Sequence, residues 1–172
     1  ESKAFPLFQQ CVATNSSIWQ AHLQLARYFQ NHYKYEQAIV HYEKVRDLHP
    51  KSTACHFEMG QIYRRLGVLD AAENAFLQVI DYDKSLAQAY YELGQIYALQ
   101  KMADQAIEQY RKGKKLDPNN PIVRYQLAHI FLDNDDGRNA ILALRSGMSA
   151  DTQYAQVANR LKNVSSLQAS SI

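Results

Sequence analysis

Proline and glycine are both scarce in this chain, with 4 prolines and 6 glycines among 172 residues. Both residues punctuate turns and interrupt regular structure, so their scarcity favours helices. Cysteine is scarcer still: Cys11 and Cys55 stand 44 positions apart, and neither belongs to a C-x-x-C pair. That argues against a disulfide framework and against a structural zinc site. It fits a reducing compartment such as the cytoplasm slightly better than the periplasm, without fixing either. No run of about 18 apolar residues occurs, so no membrane-inserted helix is expected. An excess of one charge is also missing. The net charge is +2 with histidine neutral, which makes no electrostatic case for nucleic acid or for an anionic membrane. The chain opens at Glu1 without an initiator methionine or an apolar signal segment, as a processed protein or an excised fragment would.

Motifs that carry chemistry are lacking too. His22, His32, His41, His49, His56 and His129 are scattered, with no H-E-x-x-H among them. The stretch Asp133-Asn134-Asp135-Asp136-Gly137 resembles the start of a calcium loop but lacks the later ligands and the distal glutamate; it reads as a turn. Arg111, Lys112, Lys114 and Lys115 form a basic cluster, as suits the negative end of a helix, with a patch for an acidic partner as the alternative reading. No nucleophile–base pair follows from spacing. The chain is read as non-enzymatic, with no cofactor and no metal.

What is present is a period. Residues 58–63, Glu-Met-Gly-Gln-Ile-Tyr, return 34 positions later as Glu92-Leu93-Gly94-Gln95-Ile96-Tyr97. A catalytic motif has no reason to recur at fixed spacing, whereas a building unit does. Windows of 34 divide the chain at 19–52, 53–86, 87–120 and 121–154. The eighth position then reads Ala26, Gly60, Gly94, Ala128, and the twentieth reads Ala4, Ala38, Ala72, Ala106, Ala140. Position 7 holds Leu25, Met59, Leu93, Leu127; position 11 holds Phe29, Tyr63, Tyr97, Phe131; position 24 holds Phe8, Tyr42, Phe76, Tyr110, Leu144.

Positions 7, 8 and 11 share one face of a first helix, and 20, 24 and 27 share one face of a second. Small residues at 8 and 20 let the two axes approach, while the large ones fill the flanks. Pro50 and Pro118 stop second helices. Ser52, Ser85 and Asn119 or Asn120 offer capping oxygens to the helix that follows. Each window is therefore a helix–turn–helix hairpin that buries its apolar face only against its neighbours.

The pattern resembles the tetratricopeptide repeat (TPR) family over residues 19–154. The resemblance implies an all-α, right-handed superhelical solenoid of antiparallel helix hairpins. Residues 1–18 read as the second helix of an incomplete repeat, with Ala4, Phe8 and Cys11 on its core stripe. Its missing partner leaves apolar surface around Phe5, Leu7 and Val12, so more chain or another subunit is expected upstream, and the open end invites self-association. The fourth repeat diverges, with Thr152 in place of the proline and Gly147 in its second helix. Residues 155–165 are expected to form a capping helix, with Val157, Ala158, Leu161 and Val164 inward, and 166–172 a frayed tail.

The resemblance also implies that the first helices line a concave groove, with positions 2, 5, 9, 12 and 13 facing it. The candidate binding residues are Leu23, Arg27, Phe57, Gln61, Arg64, Arg65, Tyr91, Gln95, Tyr125 and His129. The expected partner is another protein or peptide, with an acidic group placed near Arg27, Arg64 and Arg65. Phe57, Tyr91 and Tyr125 form either an aromatic ladder for that partner or packing between first helices. The carboxylate clamp of co-chaperone-type TPR domains is absent. In one frame its positions hold Phe57, Gln61, Glu92, Ile122 and Gln126; in the other, Leu23, Arg27, Glu58, Gln88 and Glu92. The expected function is a protein-interaction scaffold. A substrate-positioning segment of a larger enzyme and a bacterial secretion or pilus-assembly chaperone stand as alternatives.

Overall fold

A computed structural model describes residues 4–145 of the chain. Among these residues all regular structure is helical: α1 (Ala4–Thr14), α2 (Trp19–Asn31), α3 (Tyr35–Leu48), α4 (Thr53–Arg65), α5 (Leu69–Tyr82), α6 (Ala87–Leu99), α7 (Ala103–Leu116), α8 (Pro121–Asp133) and α9 (Gly137–Arg145). Helices α2/α3, α4/α5, α6/α7 and α8/α9 pack pairwise as hairpins. Contacts of α3 with α4, α5 with α6 and α7 with α8 join each hairpin to the next, and α1 packs on α2. The result is a helical solenoid. The fourth window beyond residue 145, the capping helix expected over 155–165 and the tail 166–172 lie outside the described residues.

Small residues meet aromatic rings inside the second and third hairpins. A Cβ on Gly60 would stand 2.9 Å from the Phe76 ring, and one on Gly94 would stand 2.8 Å from the Tyr110 ring. Position 8 is small because the ring at position 24 presses on its backbone. Phe76, Tyr110 and Tyr42 are fully buried, and each large apolar ring gained there stabilises its hairpin by about 2–3 kcal/mol.

The turn inside each hairpin repeats in detail. Position 15 carries a positive φ every time: Tyr33 (59°), Gly67 (76°), Lys101 (61°) and Asp135 (58°). Around it the N–H of residue 34 donates to Phe29 O, that of 68 to Tyr63 O, that of 102 to Tyr97 O and that of 136 to Phe131 O. This is the six-to-one bond that closes a helix through a left-handed residue. The acidic stretch 133–136 is this turn, and Asp136 Oδ1 accepts from the Asn139 N–H at 3.1 Å. Among the described residues no group of three or more His, Cys, Asp or Glu is arranged to hold a metal.

The turn between hairpins repeats as well. His22 Nε2 lies 3.2 Å from Ser16 O, His56 Nε2 lies 2.8 Å from Pro50 O, and the Tyr90 hydroxyl donates to Lys84 O at 3.2 Å. Position 4 thus satisfies a carbonyl of the connecting turn, two residues past the end of the preceding helix. That explains why His22 and His56 share a register position.

Three local expectations are corrected. Ser52 caps α4, its hydroxyl accepting from the Cys55 N–H, and Asn120 caps α8, but Ser85 does not cap α6. Its N–H and hydroxyl both donate to Asp83 Oδ1, so the side chain is held by the preceding turn. Phe5 is not uncovered: its ring stacks on Tyr28 at 4.0 Å and meets Phe29 edge-on at 5.7 Å. Cys11 is exposed rather than packed.

Candidate interaction surface

The first helices α2, α4, α6 and α8 each carry a stripe at window positions 2, 5, 9 and 12, spaced by three, four and three residues along one helix face. The structure distributes the ten candidate residues unevenly. Leu23 and Tyr91 are buried; Arg27, Phe57, Gln61, Arg64, Gln95 and Tyr125 are half-buried; Arg65 and His129 are exposed.

Arg27 on α2 and Gln61 and Arg64 on α4 are occupied by the protein itself. Arg27 Nε lies 3.5 Å from Glu58 Oε1, and Gln30 Nε2 donates to Glu58 Oε2 at 2.9 Å. One repeat later, Gln61 Nε2 donates to Glu92 Oε1 at 3.0 Å, and Arg64 Nε lies 3.1 Å from Glu92 Oε2. The Arg64 contact is an ion pair without hydrogen-bond alignment, since neither of those two atoms has a hydrogen-bond partner. Each glutamate thus receives one arginine and one glutamine from the preceding first helix. The glutamate is at position 6 in both repeats, while arginine and glutamine exchange positions 9 and 12 between them. Glu92 is 4% exposed, which makes the second pair the more deeply set. Two of the three arginines expected to meet an acidic partner are therefore neutralised from within.

Further polar contacts lock the first junction. The Tyr42 hydroxyl donates to Gln30 Oε1 at 2.7 Å. Its pKa is raised, first by burial and then by the Glu58 carboxylate. The equivalent Tyr110 hydroxyl is buried without a hydrogen-bond partner, because Ala98 stands where Gln30 stands in the first repeat. Burial pushes the Cys55 thiol up to about 12, and its Sγ–H donates to Tyr42 O at 3.1 Å. Burial also pushes the Tyr91 and Tyr97 phenols up to about 12. These groups are held in their neutral forms: Cys55 and Tyr97 pack against the preceding hairpin, and Tyr91 packs against α7 of its own.

Position 5 does not form a continuous exposed ladder. Tyr91 is 3% exposed and its hydroxyl donates to Asp117 O at 3.1 Å. Its ring lies over Gly113, where a Cβ would collide with it. Windows one and two carry Val45 and Val79 at that position; glycine in the third opens the space that the tyrosine fills. Phe57 meets Phe76 edge-on at 5.6 Å and is partly packed on the core. Tyr125 is likewise partly packed on the core from α8.

The α8 stripe has a different character. It reads Ile122, Tyr125, His129 and Leu132, with Ile122 56% exposed. Leu99, at the end of the neighbouring first helix α6, is 59% exposed. Both residues fall at groove positions of the 34-residue frame, 13 and 2, but neither carries the charge, amide or ring that marks most of the candidate residues in the sequence.

The tetratricopeptide repeat pattern matches residues 57–121 in one form and 20–52 in another. No curated protein matches the chain by sequence. Among solved structures, MamA 41-end from Desulfovibrio magneticus RS-1 is 19% identical, with a TM-score of 0.78 over 95% of this chain and 86% of that one. Pseudomonas aeruginosa PilF is 19% identical, with a TM-score of 0.75 over 91% of this chain and 73% of that one. The first TPR of Spaghetti (RPAP3), bound to the HSP90 peptide SRMEEVD, is 21% identical, with a TM-score of 0.65 over 68% of this chain and 93% of that one. At these identities the likeness is one of fold. With two matches that together span most of the repeat windows, the chain belongs to the tetratricopeptide repeat family.

Proposed function

We propose that the chain is a non-catalytic scaffold that binds a peptide or protein segment along its first helices. The observation that carries this reading is the pair of first helices α6 and α8, where Leu99 at the end of α6 and Ile122 at the start of α8 leave apolar side chains exposed. Exposed apolar groups flanked by amide and imidazole groups suit a partner with alternating apolar and polar residues. Gln95, Tyr125 and His129 supply the polar and aromatic contacts. Phe57, Gln61 and Arg65 extend the surface toward the second repeat, and Leu23 with Tyr91 supports it from beneath.

Spaghetti (RPAP3) is bound to an acidic peptide in its solved structure. This chain is poorly suited to that ligand, because Glu58 and Glu92 stand among the clamp positions and already hold Arg27 and Arg64. An apolar segment fits better than an acidic one. The test is an array of 15-residue peptides probed with the purified chain and with a Leu99→Asp/Ile122→Asp variant. Binding of apolar-rich peptides that the variant loses supports the reading. Binding that the variant retains contradicts it.

A further inference from the structure

A cleft of about 520 Å³ opens between α3 and α5, with α4 as its floor. His56, Met59, Tyr63, Ala71, Ala75 and Tyr82 line it. Its size is within the range of small-ligand sites, and its walls are aromatic, with the His56 and Tyr82 rings 5.6 Å apart.

Asn74 and Gln78 of α5 and Arg46 add polar groups to the lining; the most deeply set polar side chain of the lining is His56, only 8% exposed. Pro50 O can only accept, so the 2.8 Å contact fixes the proton on Nε2 and leaves Nδ1 as a lone-pair acceptor. Nδ1 has no hydrogen-bond partner among the described residues. The repeat shows what such a nitrogen meets when it is satisfied. His22 is the equivalent of His56, and its Nε2 is likewise held by a carbonyl, Ser16 O. Its Nδ1 lies 3.0 Å from His41 Nδ1, which must therefore donate. The residue 34 positions after His41 is Ala75. The cleft thus lies where the first repeat places an imidazole. In the third repeat the corresponding positions carry Tyr90, Gln105 and Gln109, all larger than their counterparts here. Arg46, at the rim, lies 3.7 Å from both Glu43 and Asp47, so the cleft favours a neutral ligand.

We propose that this cleft receives a neutral aromatic side chain of a binding partner that carries one N–H or O–H donor: histidine, tyrosine or tryptophan. The ring fills the volume that the His41 imidazole occupies in the first repeat, and its donor bonds His56 Nδ1. The site uses none of the residues of the first-helix stripe, so its failure leaves that reading intact.

The test uses free side-chain analogues at pH 8, with binding followed by NMR shifts of His56 and by calorimetry. The probes are 4-methylimidazole, p-cresol and 3-methylindole, with toluene as the donor-free control. Saturable binding of at least one donor probe, about fivefold tighter than toluene, is expected for one neutral hydrogen bond. Ala75→His should rebuild the pair seen in the first repeat and abolish binding. His56→Phe, checked for fold by circular dichroism, should remove the preference over toluene. The proposal is overturned if no probe saturates, if toluene binds equally well, or if folded His56→Phe keeps the preference.

Discussion

Arg64 on α4 and Glu92 on α6 form an inter-repeat ion pair at 3.1 Å, with the Glu92 side chain only 6% exposed. The glutamate also accepts from Gln61. Glu92→Ala leaves Arg64 and Gln61 without their acceptor in a partly desolvated setting. We expect a loss of about 1–3 kcal/mol in urea unfolding. Glu58→Ala, where the arginine is 41% exposed, should cost less than about 1 kcal/mol. Equal losses would show that burial of the second pair carries no weight.

The left-handed turn position offers substitutions of opposite sign. Tyr33 has φ 59° and is 76% exposed, so its ring contributes little burial to offset the strain. Tyr33→Gly should stabilise the chain by up to about 1 kcal/mol, and Gly67→Ala should destabilise it by a similar amount. Thermal unfolding of both variants checks the pair. The same direction of change in both would contradict the turn assignment.

Tyr91 and Gly113 should behave as a coupled pair. Gly113→Ala drives a methyl group into the ring and is expected to cost about 1–3 kcal/mol despite the helix propensity it gains. Adding Tyr91→Leu should recover part of that loss, a coupling read directly by a double-mutant cycle. Additive effects would mean that the ring does not need the glycine.

His41 has a pKa lowered by burial and then by His22. The native state therefore favours its neutral form, and the unfolded chain binds more protons once the pH falls below about 6.5. The groups facing it are His22 on α2, 3.0 Å away, and the stacked Phe29 ring. Stability should fall as pH drops from 7.5 to 5.5, and His41→Leu should flatten that dependence. An unchanged slope in the variant would remove His41 as its source.

Much of the fold can be read from the 34-residue frame. Position 1 starts a helix at Trp19, Thr53, Ala87 and Pro121, and position 17 starts one at Tyr35, Leu69, Ala103 and Gly137. Small residues at position 8 are legible because backbone contact with a ring excludes larger ones. The surface is less legible. The Arg–Gln–Glu ladder escapes a column-by-column reading because arginine and glutamine trade columns between repeats. The burial of Tyr91 depends on Gly113, 22 residues away in a different helix. The pairing of His22 with His41 joins two columns, only one of which repeats histidine. Such features come from contacts between columns, whereas the frame reveals what recurs within them.

The interaction reading is tested most directly by mapping a bound peptide onto the chain. With a peptide selected from the array, methyl and aromatic NMR shifts should change at Leu99, Ile122, Tyr125 and Leu132 on the first helices. Shifts confined to the second helices α3, α5 and α7, with that stripe unmoved, would contradict the account.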